Sequence, residues 1–318
     1  MTAVYMRPGR ATALVLLLLL VAVGAAQAAL GRGGKVIAKI GIPSGYGGFA
    51  VGEGAVWAMS DDSSRLTRID GRSNAVVARI KIAPGGELAA GNGAVWVTHP
   101  TDGTVSRVDS DTNREIATIK VGPGPQGIAT SPGAVWVANS GGPTVSHIDP
   151  ATNQVVATIR VGPRTATSDR MQVTASGTTV WVAVPGLSAV VRIDAATNRV
   201  VATIHTAAIC GFLLMSKNAV WAAGAHCAAM VVRIDPHANR ANGKVKGKLS
   251  APIGLVLAFG SLWVADLDAK TIDRVDTRSG RIVARLPVGG YPIRLGVGFG
   301  SIWVRDDTGR VLRIRPNT

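Results

Sequence analysis

The sequence predicts a seven-bladed β-propeller, and three observations predict it. A tryptophan motif recurs seven times, each repeat reads as four short strands, and one spare strand precedes the first repeat. All seven tryptophans lie in the pattern small residue–apolar–Trp–Val/Ala: Trp57, Trp96, Trp136, Trp181, Trp221, Trp263 and Trp303, spaced by 39, 40, 45, 40, 42 and 40 residues. Thirteen residues after most of them an aspartate ends an apolar run, at Asp70, Asp109, Asp149, Asp194 and Asp276. In the fifth repeat it is Asp235, at fourteen, and the last repeat has Arg315 at twelve.

The third repeat shows how one unit reads. Gly127 to Thr130 is strand A, Ala134 to Ala138 strand B, Thr144 to Asp149 strand C and Val155 to Val161 strand D. Strand D alternates, with Val155, Ala157, Ile159 and Val161 on one face. Strand B is apolar throughout, as a strand covered on both faces must be. Turns such as Asp149-Pro150-Ala151-Thr152-Asn153 begin with an aspartate whose carboxylate caps turn N–H groups, and the repeated tryptophans fill the gaps between blades. The seventh repeat stops after its strand C, Val311 to Arg315. The missing strand D is expected from residues 35–40, because Gly34-Lys35-Val36-Ile37-Ala38-Lys39-Ile40 matches Gln154 to Ile159. That pairing closes the ring and removes an open edge.

Residues 1–28 read as a signal peptide: Arg7 and Arg10 are basic, the Ala11–Ala26 run is apolar, and Ala26-Gln27-Ala28 offers a cleavage site. Residues 29–318 are the propeller. The protein is therefore expected to be exported, secreted or held in the periplasm or cell envelope, with an uncleaved N-terminal anchor as the alternative. The only two cysteines, Cys210 and Cys227, fall at one end of blade 5 and are expected to form a disulfide, as thiols meeting an oxidising compartment do.

The net charge is +15; loss of residues 1–28 removes two basic and no acidic residues and leaves +13. This balance allows an anionic polymer as partner. However, the arginines recur at one repeat position, Arg68, Arg107, Arg192, Arg233, Arg274 and Arg313, and are expected to form a solvated periphery without a single patch. Nucleic-acid binding driven by charge remains a further alternative; it needs exposed aromatics, and only Tyr46 and Tyr291 are offered near the channel mouth.

Segments such as Val135-Trp136-Val137-Ala138-Asn139 followed by Thr144 to Asp149 resemble the YVTN-type β-propeller repeats of exported bacterial proteins. The resemblance covers the mature chain and implies the fold; that superfamily spans many functions. The virginiamycin B lyase family is similar in blade number and strand pattern. It implies Mg²⁺ held by carboxylates and a histidine base, with an acid-x-His pairing on the substrate face. This sequence departs from that pattern: Asp235 before His237 is the one such pairing, and it falls in a strand C–D turn on the opposite face.

The face carrying the D–A and B–C loops is the expected binding face, since loops there vary without disturbing the ring. Five extra residues fall in the D–A loop around Arg164 to Arg170. Nine residues before each Trp lie Gly48, Glu87, Gly127, Gln172, Phe212, Gly254 and Arg294. Glycine there is expected to leave space, so Glu87, Gln172 and Arg294 stand out. Three residues after Trp lie His99, Asn139, Asp266 and Asp306. These seven, with Arg164 and Arg170, are the candidate ligand-binding residues. There is no nucleophile elbow, P-loop or zinc-spaced Cys/His set. No catalytic residue, metal or cofactor is assigned. The reading is a monomeric, non-enzymatic exported scaffold for a small polar ligand or a protein, with a lyase-like metal-assisted enzyme as the alternative.

Overall fold

Seven four-stranded antiparallel sheets make up the described residues, and in six of them each strand is hydrogen-bonded to the next in sequence from strand A inside to strand D outside. The structure, a computed structural model, describes residues 33–60, 64–165, 170–207 and 209–317. The expected signal peptide, residues 1–28, lies outside the described residues, as do residues 166–169 of the inserted loop.

Blade 3 has strands Pro125–Ser131, Ala134–Asn139, Thr144–Asp149 and Gln154–Arg160. They match the expected four to within two residues at each end. Blade 7 takes its first three strands from Pro292–Gly298, Ser301–Asp306 and Arg310–Pro316, and its fourth from Gly34–Gly41. Lys35 lies opposite Arg315 and Ile40 opposite Val311, so the ring closes as the sequence predicts.

Local chemistry sets each blade. The A–B hairpin of blade 2 turns on Asn92 and Gly93, with φ of 56° and 71°, a two-residue turn that Asn-Gly favours because both residues are left-handed. The C–D turn is held by its aspartate: Asp109 Oδ1 accepts from Thr112 N and Oγ1, both at 2.7 Å. Strand B is buried along nearly all of its length, for example all six residues of Ala94–His99, with Thr179 of blade 4 half-buried. The core lies between blades. Trp57, Met59 and Leu66 of blade 1 pack in one cluster with Leu88, Val95, Val97 and Val108 of blade 2.

The repeated arginines overturn the solvated-periphery expectation. Arg68 lies 5.2 Å above the Trp57 ring and donates to Asn113 Oδ1 of blade 2 at 2.8 Å. Arg107 over Trp96 reaches Asn153, and Arg192 over Trp181 reaches Asn239. In blade 3 His147 takes the position, stacked 4.0 Å from Trp136 and hydrogen-bonded to Asn198. Each side chain thus latches its own tryptophan to the C–D turn of the next blade. The accepting asparagines sit at φ of 49° to 64°, a region that Asn tolerates better than most residues. A flat aromatic face and an acceptor together draw the guanidinium inward, where sequence position alone suggests solvent.

Every strand D carries a bulge opposite this latch. Arg68 pairs with Ala78 and Ile69 with Val76, which leaves Val77 unpaired and exposed. Ile116, Val156, Val201, Val283 and Ile37 are the equivalents, and blade 5 has Asn242. A bulge on each outer strand breaks the regular edge that another sheet would otherwise extend.

Candidate functional site

Strand A of each blade lines the central channel. Its apolar ring comes from the position eight residues before each Trp: Phe49, Leu88, Ile128, Val173, Leu213, Leu255 and Leu295. These surround a cavity of about 130 Å³ together with Glu87, Gln172, Phe212, Gly254 and Arg294 from the layer above. Glycine in that upper layer does not leave space, contrary to expectation. A Cβ on Gly48 would lie 2.4 Å from Leu88 Cγ, and one on Gly127 would lie 2.8 Å from the Cα of Gln172. Strands A of neighbouring blades approach too closely for a side chain at those positions.

Glu87 and Arg294 meet across the mouth. Arg294 Nε donates to Glu87 Oε2 at 3.1 Å and Nη2 donates to Oε1, a two-bonded fork between blades 2 and 7 that passes blade 1. Their side chains are only 10% and 12% exposed, respectively. Arg294 also lies 4.2 Å from the ring centroid of Phe212 in blade 5, so one guanidinium ties three blades across the channel. The backbone of Glu87 is fixed by Thr98, whose Oγ1 accepts from Glu87 N at 2.9 Å. A bulge between Pro292 and Arg294 lies at the start of the arginine's own strand.

Above this bar lies a recess of about 360 Å³, lined by Tyr46, Glu87, Gln126, Arg170, Gln172, Cys210, Phe212, Ile253 and Arg294. Four of the nine candidate residues therefore converge: Glu87, Gln172, Arg294 and Arg170. Arg164 is exposed and does not line the recess. Gln126 lies outside the nine candidates, and Tyr46 is expected from the sequence only as an aromatic near the mouth. Gln126 stands one residue ahead of the position that carries Glu87, and that offset hides it from a search for polar exceptions.

The four residues three places after Trp are not brought to the recess. They are buried at the ends of strand B and hold loops within or beside their own blades. His99 Nδ1 and Nε2 lie 2.8 Å from Pro84 O and Ser106 Oγ, respectively. Asn139 Nδ2 donates to Thr144 and Ser146. Asp266 accepts from Ser250 N and Ala251 N, and Asp306 from Thr308 and Arg310. Next to Asp266, burial and the neighbouring carboxylate hold the Asp273 carboxyl well above its ordinary 3.8, at about 6, although Thr271 and Arg285 both donate to it.

Cys210 and Cys227 form a disulfide, with Cα atoms 5.9 Å apart. Strand A of blade 5 begins at Leu213, so Cys210 lies in the D–A loop on the rim of the recess. Cys227 closes a 3-10 turn, Ala225–Cys227, in the B–C loop. Asp235 Oδ1 accepts from His237 N and Ala238 N, which uses that pair for its own turn on the opposite face. Among the described residues no group of three or more His, Cys, Asp or Glu is placed to hold a metal ion.

No protein-family model matches the sequence, and no curated protein sequence matches it. Solved structures do resemble it. Hydrazine synthase from Kuenenia stuttgartiensis aligns at a TM-score of 0.73 and 19% identity, covering 88% of this chain and 97% of that one. Virginiamycin B lyase from Staphylococcus aureus aligns at 0.75 and 15% identity, covering 88% and 99%. A streptogramin B lyase structure aligns at 0.76 and 15%, covering 88% and 97%. At these identities the likeness is one of fold, and the fold it shares with them is the seven-bladed propeller described above.

Proposed function

We propose that the protein is an exported, non-enzymatic scaffold that binds a small polar ligand in the recess on its D–A/B–C loop face. The observation that carries this reading is the Glu87–Arg294 fork at the base of the recess. Two opposite charges, largely removed from water, are fixed there by Phe212 and Thr98 and flanked by the amides of Gln126 and Gln172. A preorganised polar base beneath an open recess suits a solute carrying both an acceptor and a donor, with Arg170 on the rim for a carboxylate. The disulfide supports export, because such bonds persist in oxidising compartments. The repeat pattern suits a YVTN-type propeller of that kind.

The test is a thermal-shift screen of small zwitterions and carboxylates against the parent and a Glu87→Ala/Arg294→Ala double variant. A ligand that stabilises the parent and not the double variant supports the reading; one that stabilises both equally overturns it. The second reading, a lyase-like enzyme, is favoured by the shared fold and by Glu87 as the carboxylate at the mouth. Turnover that requires Mg²⁺ and is lost with Glu87→Gln replaces the first reading with the second.

A further inference from the structure

The blade 5/6 boundary is built differently from its neighbours, and on the face opposite the mouth it carries a basic cleft larger than the one of about 460 Å³ at the latched blade 4/5 boundary. In the C–D turn of blade 6 the latch asparagine is replaced by Gly280, at φ 69°. The left-handed backbone is kept and the acceptor is lost. Arg233 therefore turns back into its own blade: Nη1 donates to Asn242 Oδ1 at 2.7 Å and Nη2 to Asn218 O at 3.1 Å. Asn242 is the bulge residue of strand D, polar in this blade and apolar in the other six. The guanidinium stays 5.9 Å from the Trp221 ring, the longest of the six arginine–tryptophan stacks.

The cleft encloses about 670 Å³ and is lined by Lys217, Arg233, Lys244, Lys246 and Arg278, with no acidic side chain. The nearby carboxylates are turned away into their own turns. Asp276 accepts from Ser279 N and Oγ, and Asp235 from His237 N and Ala238 N. None of the five cations joins a salt bridge among the described residues. Asp235 and Asp276 offset part of the charge of Arg233 and Arg278, but Lys217, Lys244 and Lys246 face no carboxylate in the lining, so an excess of positive charge remains that favours an external anion. Arg233 is anchored on one edge by two acceptors and stacked on an indole, so its remaining donors are preorganised, and the lysines supply mobile point charges around it.

We infer that this cleft binds a soluble small molecule carrying two or more phosphate groups. One phosphate balances too little of the charge, whereas a chain of two or three carries enough to face cations contributed by both blades, the lysines of blade 5 and Arg278 of blade 6. The cleft lies away from the recess, so this inference stands apart from the proposed function.

Isothermal titration of the full mature chain with tripolyphosphate tests it, with orthophosphate for comparison. Tripolyphosphate is expected to bind more tightly than orthophosphate and to weaken as salt rises from about 50 to about 300 mM. Lys244→Gln/Lys246→Gln is expected to weaken binding about tenfold, while Lys35→Gln/Lys39→Gln on the outer strand of blade 7 changes it by less than about twofold. Gly280→Asn restores the acceptor, at the expense of a Cβ 3.2 Å from Lys244 O, and draws Arg233 across the cleft; binding is expected to fall here too. Equal loss in the two lysine pairs, undiminished binding in Gly280→Asn, or no binding at low salt overturns the assignment. Tighter binding of a single-stranded oligonucleotide at equal phosphate concentration also overturns it, in favour of a nucleic-acid surface.

Discussion

Arg313 on the last strand donates to Oδ1 of Asn74 in the first blade, at 3.0 Å and 239 residues away in sequence. The same guanidinium lies 5.1 Å from the Trp303 ring, so the latch used between inner blades also joins the two ends of the chain. It works beside the Gly34–Gly41 strand, which covers Val311, Leu312 and Ile314. Deleting residues 33–41 removes that strand and bares a regular edge. The truncated chain is expected to melt lower than the parent and to self-associate. Calorimetry with light scattering checks both; an unchanged Tm in a monomeric truncation contradicts the closure.

The latch predicts a measurable cost at each blade boundary that carries it. Asn113→Gly keeps the left-handed backbone and removes the acceptor for Arg68, which is the natural state of Gly280. A hydrogen bond from a charged donor contributes about 1.5–3 kcal/mol. Water regains part of that at this partly buried site, so a loss of about 1–2 kcal/mol is expected. Denaturant melts of the variant, of Arg68→Ala and of Arg68→Ala/Asn113→Gly check it. Additive losses would mean that the two residues do not interact.

The fold was legible because it is written seven times: Trp96 and Asp109 mean little alone and a great deal at forty-residue spacing. Ring closure was legible because residues 34–40 copy a strand D. The site was only half legible. Glu87, Gln172 and Arg294 break a repeat, and a break is visible in sequence. That they form a closed ion pair is a matter of side-chain reach across a channel, which spacing does not encode. His99, Asn139, Asp266 and Asp306 break the repeat equally and face inward, because a strand end can use a polar side chain to hold its own loop. The latch asparagines are not legible in sequence, because the partner of each latch arginine lies one blade further on.

The disulfide closes a 17-residue separation in blade 5. A loop of that size is expected to stabilise the fold by about 3 kcal/mol in the chain-entropy account. Mass spectrometry of unreduced protein should find no free thiol. Reduction should lower Tm, and Cys210→Ser/Cys227→Ser should reproduce that Tm without further change on adding reductant.

Two sets of carboxylates give opposite pH dependences. The turn aspartates, such as Asp109 and Asp194, are held below the ordinary carboxylate range by the side-chain and backbone donors of Thr112 and Thr197. Their contribution is present above the unfolded value and is lost as pH falls through the lowered one. Asp273, held at about 6, does the reverse. Its ionisation penalises the fold as pH rises from about 4 to above 6, by up to about 3 kcal/mol. Asp273→Asn removes that dependence. The Tm difference, variant minus parent, is therefore expected to grow more positive between pH 4 and 6.5. A flat difference across that range shows that Asp273 titrates normally.

Glu87 and Arg294 sit at the mouth yet are not surface positions, so their removal is not free. Arg294→Ala leaves the Glu87 carboxylate largely buried without its fork, and Glu87→Ala strands the guanidinium against Phe212. Breaking one side of a buried pair costs about 3–5 kcal/mol because it leaves an unpaired buried charge, a penalty that removing both partners together avoids. The double variant is therefore expected to be more stable than Arg294→Ala alone, by about 2 kcal/mol or more. Thr152→Ala, in a C–D turn on the opposite face, removes one exposed capping bond and should leave the recess unchanged. Urea melts of the parent and the four variants check the order. If the two single losses simply add in the double variant, the fork carries no coupling energy.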